Sequence, residues 1–278
     1  MLLRSQRKQI LAGIISAVLL VGVLVSCGVP NQAEDAVLCK DAEGNYYVLS
    51  SDGKTFLYYY PGNKSRCFTV PEGVEVVAEG AFEHIPNLRE LSFASTVREL
   101  DGWIFSYDFD TIQLEKLTIP ASVESYRGKQ FEMHSPTLEE LNVLCECEGV
   151  FVADCRSLRS ITVASIPTEL YGDCFFLCEN LREIRVVGQE AARDEAFEAY
   201  CATKNDLPVL YIPEGVEILA GELLYANVNL YLPDSVHTVD DWLFYHHSTD
   251  GTAIVSVPAT AQISGDGTLH GIAEVIRR

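Results

Sequence analysis

The feature that most constrains this chain is a pattern of apolar residues that recurs from about residue 70 to residue 260. In its first copy the pattern is Val70-Pro71, Val74, Val77, Ala81-Phe82. A unit of this size cannot bury its apolar side chains alone, so successive units must stack on one another. The pattern therefore predicts a solenoid, and solenoids mostly serve as binding surfaces.

The repeat length identifies the kind of solenoid. The last apolar residue of each predicted strand falls at Val70, Phe93, Ile119, Val143, Val163, Val186, Ile212, Leu232 and Val257. The eight steps between these positions average about 23 residues, within the range of leucine-rich repeats. Each run alternates apolar and polar residues, as a strand with one buried face does. Proline, which cannot donate to a ladder, ends five of the strands at Pro71, Pro120, Pro213, Pro233 and Pro258. The sequence predicts a mostly β solenoid with little helix.

The repeats also resemble a known family. Residues 56–82 read FLYYYPGNKSRCFTVPEGVEVVAEGAF. This segment resembles the BspA-type leucine-rich repeat of bacterial surface proteins, whose unit is similar to I-x-I-P-x-x-V-x-x-I-G-x-x-A-F-x-x-C-x-x-L-x-x-I. The resemblance covers residues 45–263. It implies a right-handed leucine-rich-repeat solenoid and a non-enzymatic role in adhesion or in interaction with host or neighbouring cells.

The N-terminal segment predicts where the protein resides. Residues 1–26 begin with three basic residues, residues 10–25 carry no charge, and Ser26 directly precedes Cys27. This junction resembles a bacterial lipobox, so residues 1–26 are a predicted signal peptide and Cys27 is the predicted lipidation site. Residues 27–37 would then be a flexible tether. The alternative is an uncleaved anchor, since the apolar run is nearly long enough to span a membrane. We expect an exported lipoprotein on the outer face of a bacterial membrane.

The net charge limits the partners. The chain carries 40 acidic and 20 basic residues, a net charge of −20. Removal of residues 1–26 takes away three basic residues and no acidic one, which leaves 17 basic against 40 acidic residues and a net charge of −23. Nucleic-acid phosphates would be repelled by such a chain. We therefore expect no nucleic-acid partner.

Both ends of the solenoid need a cap, because an open end exposes core and strand edges. Residues 38–69 are the predicted N-terminal cap, in which alternating runs at 46–50 and 55–60 flank the turn Asp52-Gly53 and form a hairpin. The solenoid itself is predicted over residues 70–263.

The C-terminal cap is predicted over residues 264–278, with one or two helical turns from Gly271 to Arg278. Residues 189–203 are the other helix candidate, since Ala196, Phe197 and Tyr200 share one helical face.

Three of the nine cysteines fall on repeat positions. Cys155 and Cys178 each lie three residues before the leucine that opens a strand motif, and Cys174 lies directly before Phe175. Small interior thiols at these positions behave as buried hydrophobic residues. We interpret all three as structural.

Four other cysteines allow further interpretations. Cys39 and Cys67 flank the cap hairpin, and an exported protein permits a disulfide between them, although free thiols are the alternative. Cys145 and Cys147 have neither a second cysteine pair nor a histidine nearby in sequence, so we predict no metal site there.

The sequence contains no recognisable catalytic or cofactor motif. A phosphate-binding loop, a dinucleotide fingerprint, a nucleophile elbow and a zinc-protease motif are all missing from it. The six histidines are scattered, and nothing pairs one of them with a cysteine nucleophile. We predict no catalytic residues and no cofactor; a thiol-dependent hydrolase is the least favoured function.

Aromatic residues outside the strands are the candidates for partner binding. The two tryptophans precede equivalent apolar-Phe pairs, so both would lie on one face of the solenoid. The candidate residues are Trp103, Tyr107, Trp242, Tyr245, His246 and His247. Exposed aromatic residues on a rigid scaffold often anchor protein or carbohydrate partners. The alternative is that the tryptophans pack on the coil surface.

The expected function is protein–protein interaction or adhesion at the cell surface, with an extracellular protein as partner and the membrane held through Cys27. The alternative is a lipoprotein that captures a glycan or another substrate for uptake. Three coils are longer than their neighbours and interrupt the pattern, at 93–119, 186–212 and 232–257. We expect a specific site where the pattern is interrupted.

Overall fold

The structure is a computed structural model that describes residues 36–101, 103–105, 112–126, 130–172, 174–190, 192–244 and 251–278. Several predicted features lie outside the described residues. They are the signal peptide at 1–26, most of the tether, Cys27, Tyr107, Tyr245, His246 and His247.

The N-terminal cap is an antiparallel meander of β1 (Val37–Lys40), β2 (Tyr46–Leu49) and β3 (Thr55–Tyr59). The predicted hairpin is confirmed as β2 and β3, whereas β1 is an additional strand. Tyr47 and Phe56 stack at 5.6 Å between their ring centroids, and Phe56 stacks on Phe82 at 5.1 Å. These rings carry the apolar core from the cap into the first coil.

The remaining elements follow in chain order. They are β4 (Cys67–Val70), β5 (Val76–Val77), β6 (Glu90–Phe93), β7 (Glu99–Leu100), β8 (Lys116–Ile119), β9 (Ser125–Tyr126), β10 (Gln130–His134), β11 (Glu140–Val143), β12 (Gly149–Ala153), β13 (Ser160–Val163), β14 (Glu169–Tyr171), β15 (Glu183–Val186), α1 (Glu195–Ala202), β16 (Val209–Tyr211), β17 (Ile218–Ala220), β18 (Asn229–Tyr231), β19 (Thr238–Val239), β20 (Ile254–Val257), β21 (Gln262–Ile263) and β22 (Glu274–Arg277).

Each coil contributes one strand to a front face of parallel strands. The front face contains two sheets, in the order β4-β6-β8-β11-β13-β15 and then β16-β18-β20-β22. Seven of the nine predicted strand ends are confirmed, and β16 and β18 end one residue earlier than predicted. In the first six of these strands the alternating side chains bury one face, as at Leu91 and Phe93 in β6. The predicted parallel leucine-rich-repeat solenoid is confirmed.

A back face of shorter strands closes the coils on the other side. Its ladders run β3-β5-β7-β9 and β14-β17-β19-β21. A third line of backbone bridges joins Phe82 to Phe105, and Phe175 to Leu224 and on to Phe244. This line holds the interior aromatic and leucine side chains of the repeat, all of them buried.

The C-terminal segment is a strand, so the predicted helical turns from Gly271 to Arg278 are wrong. β22 pairs in parallel with β20, and the N–H of Ala273 donates to the carbonyl of Ala253 at 2.8 Å. Val275 packs against the main core. Pairing with a preformed strand edge outweighs the weak local helical preference of this short segment.

The helix predicted within residues 189–203 is confirmed as α1. The Asp194 carboxylate caps its first turn by accepting from the N–H of Phe197 at 2.9 Å. Phe197 and Cys201 are buried and pack with Ile254, on the outer side of the second front sheet. Within the described residues, no helix has the length and apolar character needed to cross a membrane.

The two faces have unequal numbers of strands around coil 186–212. On the front face this region contains β13, β15 and β16, but on the back face β14 pairs directly with β17. The backbones that follow β14 and β17 approach each other closely: a Cβ on Gly172 would lie 3.0 Å from the N of Glu222. Since α1 takes the place of a back strand, the front face must spread where the extra strand enters.

Candidate functional site

A cleft lies on the front face where the ladder is interrupted, between β15 and β16. It encloses about 640 Å³ and is lined by both strands, by the loop that follows β15 and by the start of α1. Ligand pockets usually enclose roughly 300–1,000 Å³. The cleft falls in the second of the three long coils that interrupt the sequence pattern. We call it the front cleft.

One wall of the front cleft is the edge of β15. The N–H of Glu183 donates to the carbonyl of Arg159 at 3.1 Å, and that of Val187 donates to the carbonyl of Val163 at 2.9 Å. The peptide groups of Glu183 and Val187 therefore point toward β13. Successive residues of a strand alternate in the neighbour that they face. Ile184 and Val186 therefore direct their peptide groups into the cleft.

The opposite wall is the edge of β16. The carbonyl of Pro208 accepts from Asn229 at 2.8 Å, and the N–H of Ile212 donates to Tyr231 at 3.0 Å. By the same alternation, the peptide groups of Val209 and Tyr211 are directed into the cleft. Among the described residues no backbone hydrogen bond joins β15 to β16. The front cleft therefore lies between two facing strand edges.

The start of α1 forms the outer rim of the front cleft. The Tyr211 hydroxyl accepts from the N–H of Asp194 at 3.1 Å and donates to Glu198 Oε1 at 3.0 Å. Arg193 Nε donates to the same carboxylate at 3.2 Å. Burial raises the pKa of Tyr211 to about 12, so its hydroxyl stays protonated and keeps this arrangement.

A buried amide holds the chain that leads from α1 to β16. Asn229 is fully buried, and its Nδ2 donates to Asn205 Oδ1 at 2.9 Å and to the carbonyl of Leu207 at 3.0 Å. Its Oδ1 accepts from the N–H of Ile254 at 3.0 Å. These bonds fix the path by which β16 reaches its edge position.

Charges around the front cleft are distributed unevenly along β15. Arg182 lies at the start of the strand and donates to the carbonyls of Leu181 and Glu179, at 2.8 and 3.2 Å. Burial lowers the pKa of Arg182, and within the described part of the chain no carboxylate forms an ion pair with it. Glu190 and Glu214 line the opposite end of the cleft and are exposed. One end is therefore cationic and the other anionic.

The two tryptophans occupy equivalent repeat positions in different coils, and they differ in exposure. Trp103 is half-buried against the core, with its ring 5.8 Å from that of Phe105. Trp242 is 39% exposed and stacks on His270 at 4.6 Å. His270 Nε2 lies 3.8 Å from Asp241 Oδ2 and 3.9 Å from an Asp266 oxygen. Sequence reasoning missed His270, because it lies 28 residues from Trp242 in the chain.

The candidate bridge between Cys39 and Cys67 is not formed in the structure, where both thiols are free. Cys39 lies on β1 in the cap and Cys67 opens β4 in the front face, so the two belong to different sheets. The Cys67 thiol instead donates to Glu90 at 3.7 Å.

The cysteines at repeat positions are buried, as predicted. Cys155, Cys174 and Cys178 are each at most 4% exposed. Cys155 Sγ accepts from the N–H of Ser135 at 3.2 Å, and burial raises the pKa of this thiol to about 12. Burial also raises the pKa of Cys178. Such thiols stay protonated and are poor nucleophiles at neutral pH.

The raised pKa of Cys155 predicts a loss of stability in alkali. Below pH 9 the thiol is protonated in both the folded and the unfolded chain. Between pH 9 and about 12 only the unfolded chain releases the proton, so the free energy of unfolding falls by about 1.4 kcal/mol per pH unit. Urea unfolding at several pH values should show a shallower decline for Cys155→Ala. The exposed Cys67→Ala is the control, and an identical decline in all three proteins would contradict the assignment.

A sequence model described as BspA type Leucine rich repeat region matches in six copies, at residues 55–182, 107–223 and 148–250. A comparison with curated proteins finds no match.

Two crystal structures give matches at low TM-score. A leucine-rich repeat protein from Bacteroides ovatus ATCC 8483 is 18% identical, with 88% of this chain and 70% of that chain covered and a TM-score of 0.37. A leucine rich cell surface protein from Faecalibacterium prausnitzii A2-165 is 11% identical, with 87% and 94% covered and a TM-score of 0.26. Because the family model matches most of the chain, from residue 55 to residue 250, the protein belongs to the BspA-type leucine-rich-repeat family.

Proposed function

We propose that this protein is a non-enzymatic surface protein that binds a protein partner at the front cleft. The observation that carries the proposal is the interrupted ladder. Everywhere else in the described front face a strand edge is covered by the next coil, up to the terminal strands, but β15 and β16 leave facing edges around a cavity of about 640 Å³. Exposed strand edges are a ready template for pairing with another chain.

The chemistry of the thiols supports a binding role over hydrolysis. A cysteine nucleophile needs a lowered pKa. Burial instead raises the pKa of Cys145 and of Cys201 to about 11, and of Cys155 to about 12. Membership of a repeat family whose units form a scaffold agrees with this.

The proposed location is the outer face of a bacterial membrane, with the lipid anchor at Cys27. This rests on Ser26-Cys27 after an uncharged apolar run and on the resemblance to surface proteins. A solenoid tethered in this way would present its front face to extracellular proteins. Without residues 1–26 the chain has 17 basic and 40 acidic residues, and its net charge of −23 favours solubility there.

Site-specific photo-crosslinking tests the proposal. A benzophenone side chain placed at Val187, which lines the front cleft and is 55% exposed, should crosslink an extracellular protein on intact cells. The matched control is Val37, which is 46% exposed on β1, far from the cleft in the fold. We expect a discrete protein adduct at position 187 and none at 37. Equal crosslinking at both positions, or none at 187, would sink the proposal.

A second candidate function is glycan capture at Trp242. Its exposed ring is backed by His270 and flanked by the carboxylates of Asp241 and Asp266, which suits stacking on a sugar and hydrogen bonding to its hydroxyls. Binding to a glycan array that is lost in Trp242→Ala and kept in Trp103→Ala would favour this function.

A further inference from the structure

We infer that the front cleft takes an extended peptide segment, which adds as a strand to the edge of β15. The inference rests on the proposed function and deepens it, since it specifies the form of the partner. It follows from three properties of the cleft: its backbone edges, its inner wall and its charges.

The backbone edge of β15 supplies the pairing groups. β15 pairs with β13 on one side, and the described residues supply no ladder partner on the other. The carbonyl of Val186 is used by the N–H of Gln189 at 3.1 Å. The N–H and carbonyl of Ile184 and the N–H of Val186 therefore remain directed at the cleft. Extended peptides bind such edges by main-chain hydrogen bonds, whereas a helix has none to offer.

The edge of β16 has the alternation that an added strand needs. Val209 and Tyr211 face the cleft on that side, whereas Ile184 and Val186 face it from β15. In a regular ladder of this solenoid, residues whose side chains point into the core hydrogen-bond to the following strand. Residues whose side chains point outward hydrogen-bond to the preceding strand. A single added strand can therefore pair with β15. Because Cα atoms of β15 and β16 come within 8 Å of each other, and one intervening strand needs roughly 9.6 Å, the two edges must move apart to admit it.

The inner wall defines the side chains of the partner. Ile184, Val186 and Ile212 line the cleft from the core side, and all three are buried apolar residues. Every second side chain of an added strand would face this wall. These positions of the peptide must be apolar, and the alternating ones can be polar.

The charges at the two ends of the cleft determine which charged residues the peptide needs at its own ends. Arg182 at the start of β15 lacks a carboxylate partner among the described residues, and Glu190 and Glu214 lie at the opposite end without a basic partner there. A segment that continues the parallel ladder therefore needs an acidic residue near its first position and a basic residue near its last. Charge complementarity of this kind fixes register and partner choice.

A displayed library of random eight-residue peptides tests the inference, with the full chain held in detergent as the target. We expect enriched peptides that alternate apolar and polar residues, with an acidic residue near the start. Methylation of alternate backbone amides in a selected peptide should weaken binding at least tenfold. The amides of Ile184 and Val186 should exchange more slowly with solvent when the peptide is bound, whereas that of Ile161, already paired within the sheet, should not change.

Variants of the chain provide the matched control. Arg182→Gln should weaken a selected peptide at least fivefold, whereas Arg159→Gln, at the equivalent position one coil earlier, should leave its affinity unchanged. Three results would each overturn the inference. The parent chain enriches no peptide relative to a Val187→Trp chain used as the target, or a selected peptide keeps its affinity after amide methylation, or Arg182→Gln and Arg159→Gln change the peptide affinity equally. A crosslinked protein at Val187 together with any of these results would leave the proposed function standing and remove the strand-addition mode alone.

Discussion

Replacement of Leu117 by alanine is expected to lower the free energy of unfolding by about 2–5 kcal/mol. Leu117 is fully buried in β8, in register with Leu91 on one side and Leu141 on the other. Removal of its side chain leaves a cavity that neighbouring coils cannot close, because each is fixed by its own ladder. Urea unfolding followed by circular dichroism measures the loss.

The control for this variant lies one residue away. Lys116 is exposed on the outer side of β8, where its Nζ lies 3.0 Å from Glu140 Oε1. Surface ion pairs of this kind contribute roughly 0–1 kcal/mol. Lys116→Ala should therefore unfold within about 1 kcal/mol of the parent chain. If Leu117→Ala lost no more stability than Lys116→Ala, the inward assignment of the front strands would be wrong.

Replacement of Asn229 by leucine is expected to cost about 2–4 kcal/mol, although the two side chains have the same number of heavy atoms and the same branching. The change removes the acceptor of the buried Ile254 N–H and the donor to the Leu207 carbonyl. Each buried polar group left without a partner costs about 1–3 kcal/mol. Unfolding in urea measures the total, and amide exchange near residue 207 should accelerate.

An exposed asparagine provides the comparison. Asn180 Nδ2 donates to the carbonyl of Arg156 at 2.7 Å, but both groups are accessible to water. Asn180→Leu should change stability by no more than about 0.5 kcal/mol. Similar losses in Asn180→Leu and Asn229→Leu would show that the buried amide does not hold the segment between α1 and β16.

The front face could be predicted because its side chains alternate and its repeat is regular. The back strands could not, since elements such as Val76–Val77 contain only two residues and show no period. The C-terminal strand was missed for a different reason. The sequence after Gly271 is compatible with a short helix. It forms a strand because it pairs with Ile254–Val257.

The position of the candidate site could be predicted in part. The length of coil 186–212 indicated an interruption, and the front cleft lies there. Its form could not be predicted, because it depends on which faces receive a strand. The direct pairing of Glu169–Tyr171 with Ile218–Ala220 bypasses the long coil and is set by tertiary contacts.

The direct pairing of β14 with β17 also has a mechanical consequence. The back ladder continues across the interruption, whereas the front ladder stops on either side of it. The β14–β17 ladder and the bridge between Phe175 and Leu224 thus join the two blocks of coils, and the close approach of Gly172 to Glu222 reinforces the join. Among the described residues, a rotation of one block against the other about this join would break no backbone hydrogen bond of the front face, because none joins β15 to β16. Such a rotation would change the width of the front cleft.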